Sequence, residues 1–125
     1  MAEAFNLAIT ARNLSRLGEL ITEDHTLITG TEQPIKGKAA CLSAWGRFFE
    51  MVPDYRNVFE RVWSEGQVVR MSGRSLSADD RLKGPAIWKA VVEGGRIREW
   101  HVDEDTPEGR RRLGHDSGSP AAGMS

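Results

Sequence analysis

A chain of 125 residues, 39% apolar and 28% charged, has the size and balance of one globular domain built on a single hydrophobic core. Its 17 Lys and Arg against 18 Asp and Glu leave a net charge of −1, which removes the electrostatic reason to expect a nucleic-acid or anionic-membrane partner. No window reaches the roughly 18 apolar residues of a membrane span, and the opening MAEAFNLAIT lacks the basic region and apolar run of a signal peptide. With Cys41 as the only cysteine there is no intrachain disulfide, and a cytoplasmic chain is the expectation.

Residues 3–22 are predicted to form two short helices with a break near Arg12-Asn13. Leu14, Leu17, Leu20 and Ile21 recur at three- and four-residue steps, one apolar stripe, and Asn13 is placed to cap the second helix. His25 to Thr29 then reads as a strand ended by Gly30, and Thr31 to Lys36, with Pro34, as a polar loop. Gly37 precedes a helix from about Lys38 to Met51 with Leu42, Trp45, Phe48 and Phe49 on one face. Val52-Pro53 stops it, because proline cannot continue the backbone ladder and disfavours helix in the residue before it. Within that helix Cys41 sits among Ala39, Ala40 and Leu42, the setting of a small hydrophobe rather than a reactive thiol.

From Tyr55 onward the pattern is β. Arg56 to Trp63 and Gln67 to Leu76 are predicted strands joined at Glu65-Gly66, and Ser77 to Lys83 is a polar connection. Gly84 to Asp105 then folds back on itself through Glu93-Gly94-Gly95, a strong hairpin signal, with Trp88 in one arm and Trp100 in the other. Thr106-Pro107-Glu108-Gly109 ends the last strand. The composition beyond it predicts a folded domain over 1–109 and a disordered tail over 110–125, with Arg110-Arg111-Arg112 solvated. Helices first and strands afterward argue for an α+β fold: a cone-shaped, curved antiparallel sheet with three N-terminal helices packed on its concave face. The interior of such a cone is a natural pocket.

Three marks resemble the SnoaL-like branch of the nuclear transport factor 2-like superfamily, which also contains ketosteroid isomerase. Leu20-Ile21-Thr22-Glu23-Asp24-His25-Thr26-Leu27 is similar to the family's helix end, acidic pair and first strand. Pro34 to Ala40, with Trp45 and then Val52-Pro53-Asp54, is similar to its third helix. Glu93 to Val102 with Asp105 is similar to its closing hairpin. The resemblance spans most of residues 14–105 and implies the cone fold, a small apolar ligand and a homodimer formed through the outward face of the sheet. Family members carry a longer first helix; here either that helix is truncated, which would leave the mouth more open, or the start lies upstream.

Strand alternation separates Trp100, Val102 and Glu104 from Glu99, His101, Asp103 and Asp105. The apolar set is expected to face the cone, together with Ala86, Trp88 and Ala90. The resemblance adds Trp45, where the family's third helix offers an aromatic to the cavity, and Ile28, so the candidate ligand lining is Trp45, Trp88, Trp100, Val102 and Ile28, with the tryptophans either clasping a flat ligand or filling the interior. Tyr55 and Trp63 share a strand face with Phe59 and belong to the core or a dimer contact. Candidate proton carriers are Glu104, Asp24 and His25. Glu104 is inward at the end of the last strand, and the other two lie where the first strand begins. Arg70 could hold an anion if its strand face turns inward.

Ketosteroid isomerase needs an aspartate base and a Tyr/Asp oxyanion pair. Aligning the family's anchors puts Ile28 or Thr29 at the base and Trp88 at the oxyanion acid, with Phe5 and no tyrosine in the first helix. A steroid-isomerase mechanism is not expected, and the Arg-flanked aspartates of limonene epoxide hydrolase find no counterpart. No phosphate-cradling glycine loop or metal-ligand spacing is present, so neither a cofactor nor a metal is expected. Two functions remain open: acid–base isomerisation, cyclisation or dehydration of an apolar cyclic ligand, or non-catalytic ligand binding or protein association by a dimer.

Overall fold

The computed structural model describes residues 1–115. Helix α1 (Ala2–Thr10) buries Phe5, Ala8 and Ile9. Arg12, at φ 55°, turns the chain into α2 (Leu14–Leu20), where the Asn13 side chain accepts the Arg16 N–H at 3.0 Å. Strand β1 (Ile21–Thr29) follows, then a two-residue strand β2 (Ile35–Lys36) and α3 (Lys38–Met51), which buries Cys41, Trp45 and Phe49. Strands β3 (Arg56–Glu65), β4 (Val68–Leu76), β5 (Gly84–Glu93) and β6 (Arg96–Glu104) complete the sheet, and α4 (Pro107–Leu113) comes last. Gly94 and Gly95, at φ 59° and 77°, make the turn between β5 and β6, which a side chain at either position would resist. Among the described residues, no helix is long and apolar enough to cross a membrane.

The sheet runs β2-β1-β6-β5-β4-β3 and curves around the three N-terminal helices, as the α+β reading expects. Two features of the expected antiparallel sheet are corrected. Thr31 to Lys36 is not all loop, since Ile35 and Lys36 pair with Leu27 and Thr26; and β1 lies parallel to β6. Alternation assigns faces but is the same for either strand direction, so it could not have distinguished the two. The β1–β6 register also slips between Ile21, opposite Ile97, and Thr26, opposite Glu99.

Across β4, β5 and β6 the register groups Met71, Trp88 and Val102 on the helix-facing side, and Val69, Ala90 and Trp100 beside them. The opposite face carries Arg70, Lys89 and His101 in one row and Ser72, Ile87 and Asp103 in the next.

Helix α4 packs on that outer face, against β5 and β6. The expected disorder from Arg110 is therefore corrected for residues 110–115, while 116–125 lie outside the described residues. Thr106-Pro107-Glu108-Gly109 ends a strand and also starts a helix. The Thr106 hydroxyl accepts the Gly109 N–H at 3.0 Å, and Pro107 occupies the first turn, where its missing N–H costs nothing. Gly114, at φ 74°, closes the helix, and Leu113 and His115 are buried. Arg112, expected in solvent, grips the buried Asp103 through two hydrogen bonds of 2.7 and 2.9 Å.

Two predictions follow from this packing. A Cβ on Gly109 would run into the Glu104 carbonyl oxygen and the Asp103 carboxylate. Gly109→Ala is expected to cost about 1–3 kcal/mol in chemical denaturation; an unchanged midpoint would show that α4 is not seated this closely. The second concerns two buried imidazoles. His25 Nδ1–H donates to the Ile97 carbonyl at 2.8 Å, and His115 Nε2–H donates to the Met71 carbonyl at 3.1 Å. Burial pushes both below the ordinary value of 6.5, the backbone bonds only partly offsetting it. As pH falls below 6.5 the unfolded chain takes up protons that the folded chain refuses, so stability must fall. The slope is up to about 1.4 kcal/mol per pH unit for each histidine kept neutral. Urea denaturation at about pH 7.5 and about pH 5.5 checks it, and flat or rising stability on acidification is the contrary result.

Candidate functional site

The inner face of the sheet is filled at one end and hollow at the other. At the filled end, Trp100 and Trp88 are 1% and 0% exposed. Phe5 from α1 packs on Trp100 at 4.4 Å between ring centroids, and Phe59 from β3 meets Trp88 at 4.9 Å and Trp100 at 6.5 Å. These rings belong to the core, and neither indole borders the hollow. Of the two roles open to them, Trp88 and Trp100 take the filling one.

Beyond this aromatic floor a cavity of about 800 Å³ opens between α3, β1, the ends of β4, β5 and β6, and the Ser77–Lys83 connection. Leu27, Ile35, Trp45, Phe48 and Val102 supply apolar walls, and Tyr55 and Ser75 supply hydroxyls. Two of the candidate lining residues, Trp45 and Val102, border this cavity. Glu32, Arg81, Lys83, Glu104 and Asp105 bring both signs of charge to the cavity's borders. Along the inner side of β6 the residues run from buried Trp100 through half-buried Val102 to exposed Glu104, tracing the path from floor to mouth.

Sequence reasoning missed the polar group of the wall. Tyr55, Asn57 and Ser75 are 8%, 6% and 6% exposed, and β3 pairs with β4 so that Asn57 lies opposite Ser75. Ser75 Oγ donates to Asn57 Oδ1 at 2.9 Å and lies 3.1 Å from the Tyr55 hydroxyl. Burial pushes the Tyr55 hydroxyl above its ordinary value, the hydrogen bonds of Ser75 and Asn57 offsetting part of the rise, so it stays a neutral phenol at physiological pH. A signal existed: Tyr55 and Asn57 alternate onto the face of Phe59, so a polar residue falls in an inward row.

The candidate proton carriers separate. Glu104 is exposed at the mouth. Asp24 is exposed on β1, accepting the Thr22 hydroxyl at 2.7 Å, away from the cavity lining. His25 is fully buried outside the cavity lining, 6.2 Å from Phe5 between centroids, and its Nε2 has no hydrogen-bond partner among the described residues. Ile28 pairs with His101 on the outer face and does not border the cavity.

His101 Nε2 is 2.8 Å from Glu99 Oε1 on that outer face, and Arg70, also there, pairs with Glu65 and the Leu113 carbonyl rather than an inward anion. The Cys41 thiol is buried, donates toward the Ile35 carbonyl at 3.3 Å, and is pushed up by burial, as befits a packing residue.

Solved structures share this architecture at low sequence identity. A candidate polyketide cyclase from Sinorhizobium meliloti matches with a TM-score of 0.73 at 13% identity, over 81% of this chain and 91% of that one. An LEH-like epoxide hydrolase from M. tuberculosis matches with a TM-score of 0.72 at 17% identity, over 91% and 86%. A hypothetical protein from Catenulispora acidiphila with a ketosteroid isomerase-like fold, in complex with trimethylamine, matches with a TM-score of 0.70 at 15% identity, over 90% and 91%. No curated protein matches the sequence. The model of the SnoaL-like domain matches residues 2–100, which takes in the floor, most of the cavity wall and every strand but the end of β6; the chain belongs to the SnoaL-like domain family.

Proposed function

We propose that this chain binds an apolar, cyclic small molecule in the cavity under α3 and orients it by one polar contact with Tyr55. The observation that carries the reading is the wall itself. A hollow of about 800 Å³ is apolar over Leu27, Ile35, Trp45, Phe48 and Val102, with a buried Tyr55–Ser75 hydroxyl pair set into it. That volume suits a drug-sized ligand, and one polar contact in an apolar wall fixes orientation without a large desolvation cost. Trp45 offers the broad flat surface that a ring system packs against.

The chemistry this arrangement serves is proton transfer in an isomerisation, cyclisation or dehydration, with Glu104 as the carrier. Of the three groups the sequence nominates, Glu104 alone borders the cavity, and it does so at the mouth, where exchange with solvent is direct. Neighbours described as a candidate polyketide cyclase and an epoxide hydrolase are compatible with an enzyme on this frame. One observation favours the second reading, a non-catalytic dimeric binding protein. Among the described lining residues the one buried carboxylate, Asp103, is tied to Arg112, and Glu104 is not desolvated.

Native mass spectrometry and thermal shift with a panel of cyclic ketones, cyclic alcohols and polyketide-like acids test the binding. Trp45→Ala is expected to weaken the best ligand about tenfold, equivalent to about 1.4 kcal/mol. Unaltered affinity would move the ligand elsewhere. For any panel member that is turned over, Glu104→Gln is expected to lower kcat by about 10²–10⁴. Turnover that survives the substitution removes Glu104 as carrier, and tight binding without turnover of any member selects the non-catalytic reading.

A further inference from the structure

The Tyr55–Ser75–Asn57 chain has a direction, and the direction chooses the ligand. Ser75 Oγ donates to Asn57 Oδ1 at 2.9 Å. A serine hydroxyl has one proton, so with that proton committed its oxygen can only accept in the 3.1 Å contact with Tyr55. The phenol proton of Tyr55 therefore points into the wall, toward Ser75. With its proton turned to Ser75, the Tyr55 oxygen has only acceptor capacity left to offer the cavity it borders.

We propose that Tyr55 reads the ligand's polar group as a hydrogen-bond donor, so that the cavity selects a cyclic alcohol, enol or phenol over the matching ketone. The inference rests on the cavity being a ligand site. A ketone oxygen brought to Tyr55 would meet another acceptor and lose its hydration with nothing in return, which is costly at a buried position. A hydroxyl in the same place completes the chain: ligand to Tyr55, Tyr55 to Ser75, Ser75 to Asn57.

The chain is held in place from below. Asn6 Nδ2, on α1, donates to the Asn57 backbone carbonyl at 3.0 Å and pins the start of β3 to the helix layer. The competing arrangement is a reversed Asn57 amide. Its Nδ2 would donate to Ser75, the serine proton would go to Tyr55, and the phenol proton would face the cavity and select the ketone. Asn57→Asp separates the two, because a carboxylate can only accept and enforces the direction seen here.

The test is a matched set of bicyclic probes: 2-decalol, 2-decalone and decalin, with affinities measured for the wild-type chain and for Tyr55→Phe, Ser75→Ala and Asn57→Asp. The wild type is expected to prefer the alcohol over the ketone by about tenfold or more. Tyr55→Phe should abolish that preference while decalin affinity holds. Ser75→Ala frees the phenol proton and should turn the preference toward the ketone, and Asn57→Asp should keep the alcohol first. Equal or better binding of the ketone by the wild type overturns the inference, as does a preference that survives Tyr55→Phe. Should Ser75→Ala not fold, the Tyr55→Phe arm decides. If decalin and both derivatives bind without discrimination, Tyr55 does not read the ligand's polar group and the inference falls while the ligand site stands. If none of the three binds, the ligand site falls and this inference with it.

Discussion

The contact between Phe5 and Trp100, ring centroids 4.4 Å apart, is the one on which the hollow depends. It joins the first helix to the last strand, and Phe5 also reaches Trp45 at 6.1 Å and His25 at 6.2 Å, so one side chain draws α1, α3, β1 and β6 together. Phe59 extends the same layer to Trp88. Aromatic rings of this size bury large apolar areas each and dominate the energetics of a small core. The layer also determines where filling stops. Toward Ala90 the inner face carries the Trp100 indole, whereas its far end offers Ala86 and Val102, which are too small to meet α3 across the gap. The cavity is the volume those short side chains leave.

Much of the frame was legible because its signals are local. The break at Arg12-Asn13, the stop at Val52-Pro53 and the turn at Gly94-Gly95 each follow from the conformational demands of two or three neighbouring residues, and α3 spans Lys38 to Met51 as its apolar stripe implies. Face was legible too: Trp88, Trp100 and Val102 all point toward the helices. Depth was not. Alternation tells which side of a sheet a residue occupies but not how far from the mouth it sits, so Trp88 and Trp100 on the floor read the same as Val102 in the wall. The wall's hydroxyls were hidden for a different reason. Tyr55 and Ser75 are 20 positions apart, and only the β3–β4 register, with its irregularity between Phe59 and Arg61, brings them together.

The stretch after β6 shows how a local signal can be read correctly and still mislead. Thr106-Pro107 does end a strand. The same two residues cap and open a helix, and whether the helix forms depends on tertiary partners: Asp103 for Arg112, Asp105 for Arg110, and a buried seat for Leu113. A seven-residue helix is too short to persist without such partners. Three consecutive arginines look like a solvated run until an unpaired carboxylate is found within reach.

That helix bears on the mouth of the cavity as well as on the outer face. Asp103 accepts the Glu104 backbone N–H at 2.9 Å with the same oxygen that takes a hydrogen bond from Arg112, and the Thr106 N–H donates to the Glu104 carbonyl at 2.9 Å. Both backbone polar groups of Glu104 are thereby held, one by a carboxylate that α4 fixes and one by the residue that caps α4. Because adjacent strand residues face opposite ways, Asp103 can be gripped from the outer side while the Glu104 side chain stays free at the inner mouth. A strand end beside open solvent would ordinarily fray. Here the outer-face helix supplies the restraint, and Glu104 keeps a fixed backbone and an exposed carboxylate, as the proton carrier proposed for the mouth would need.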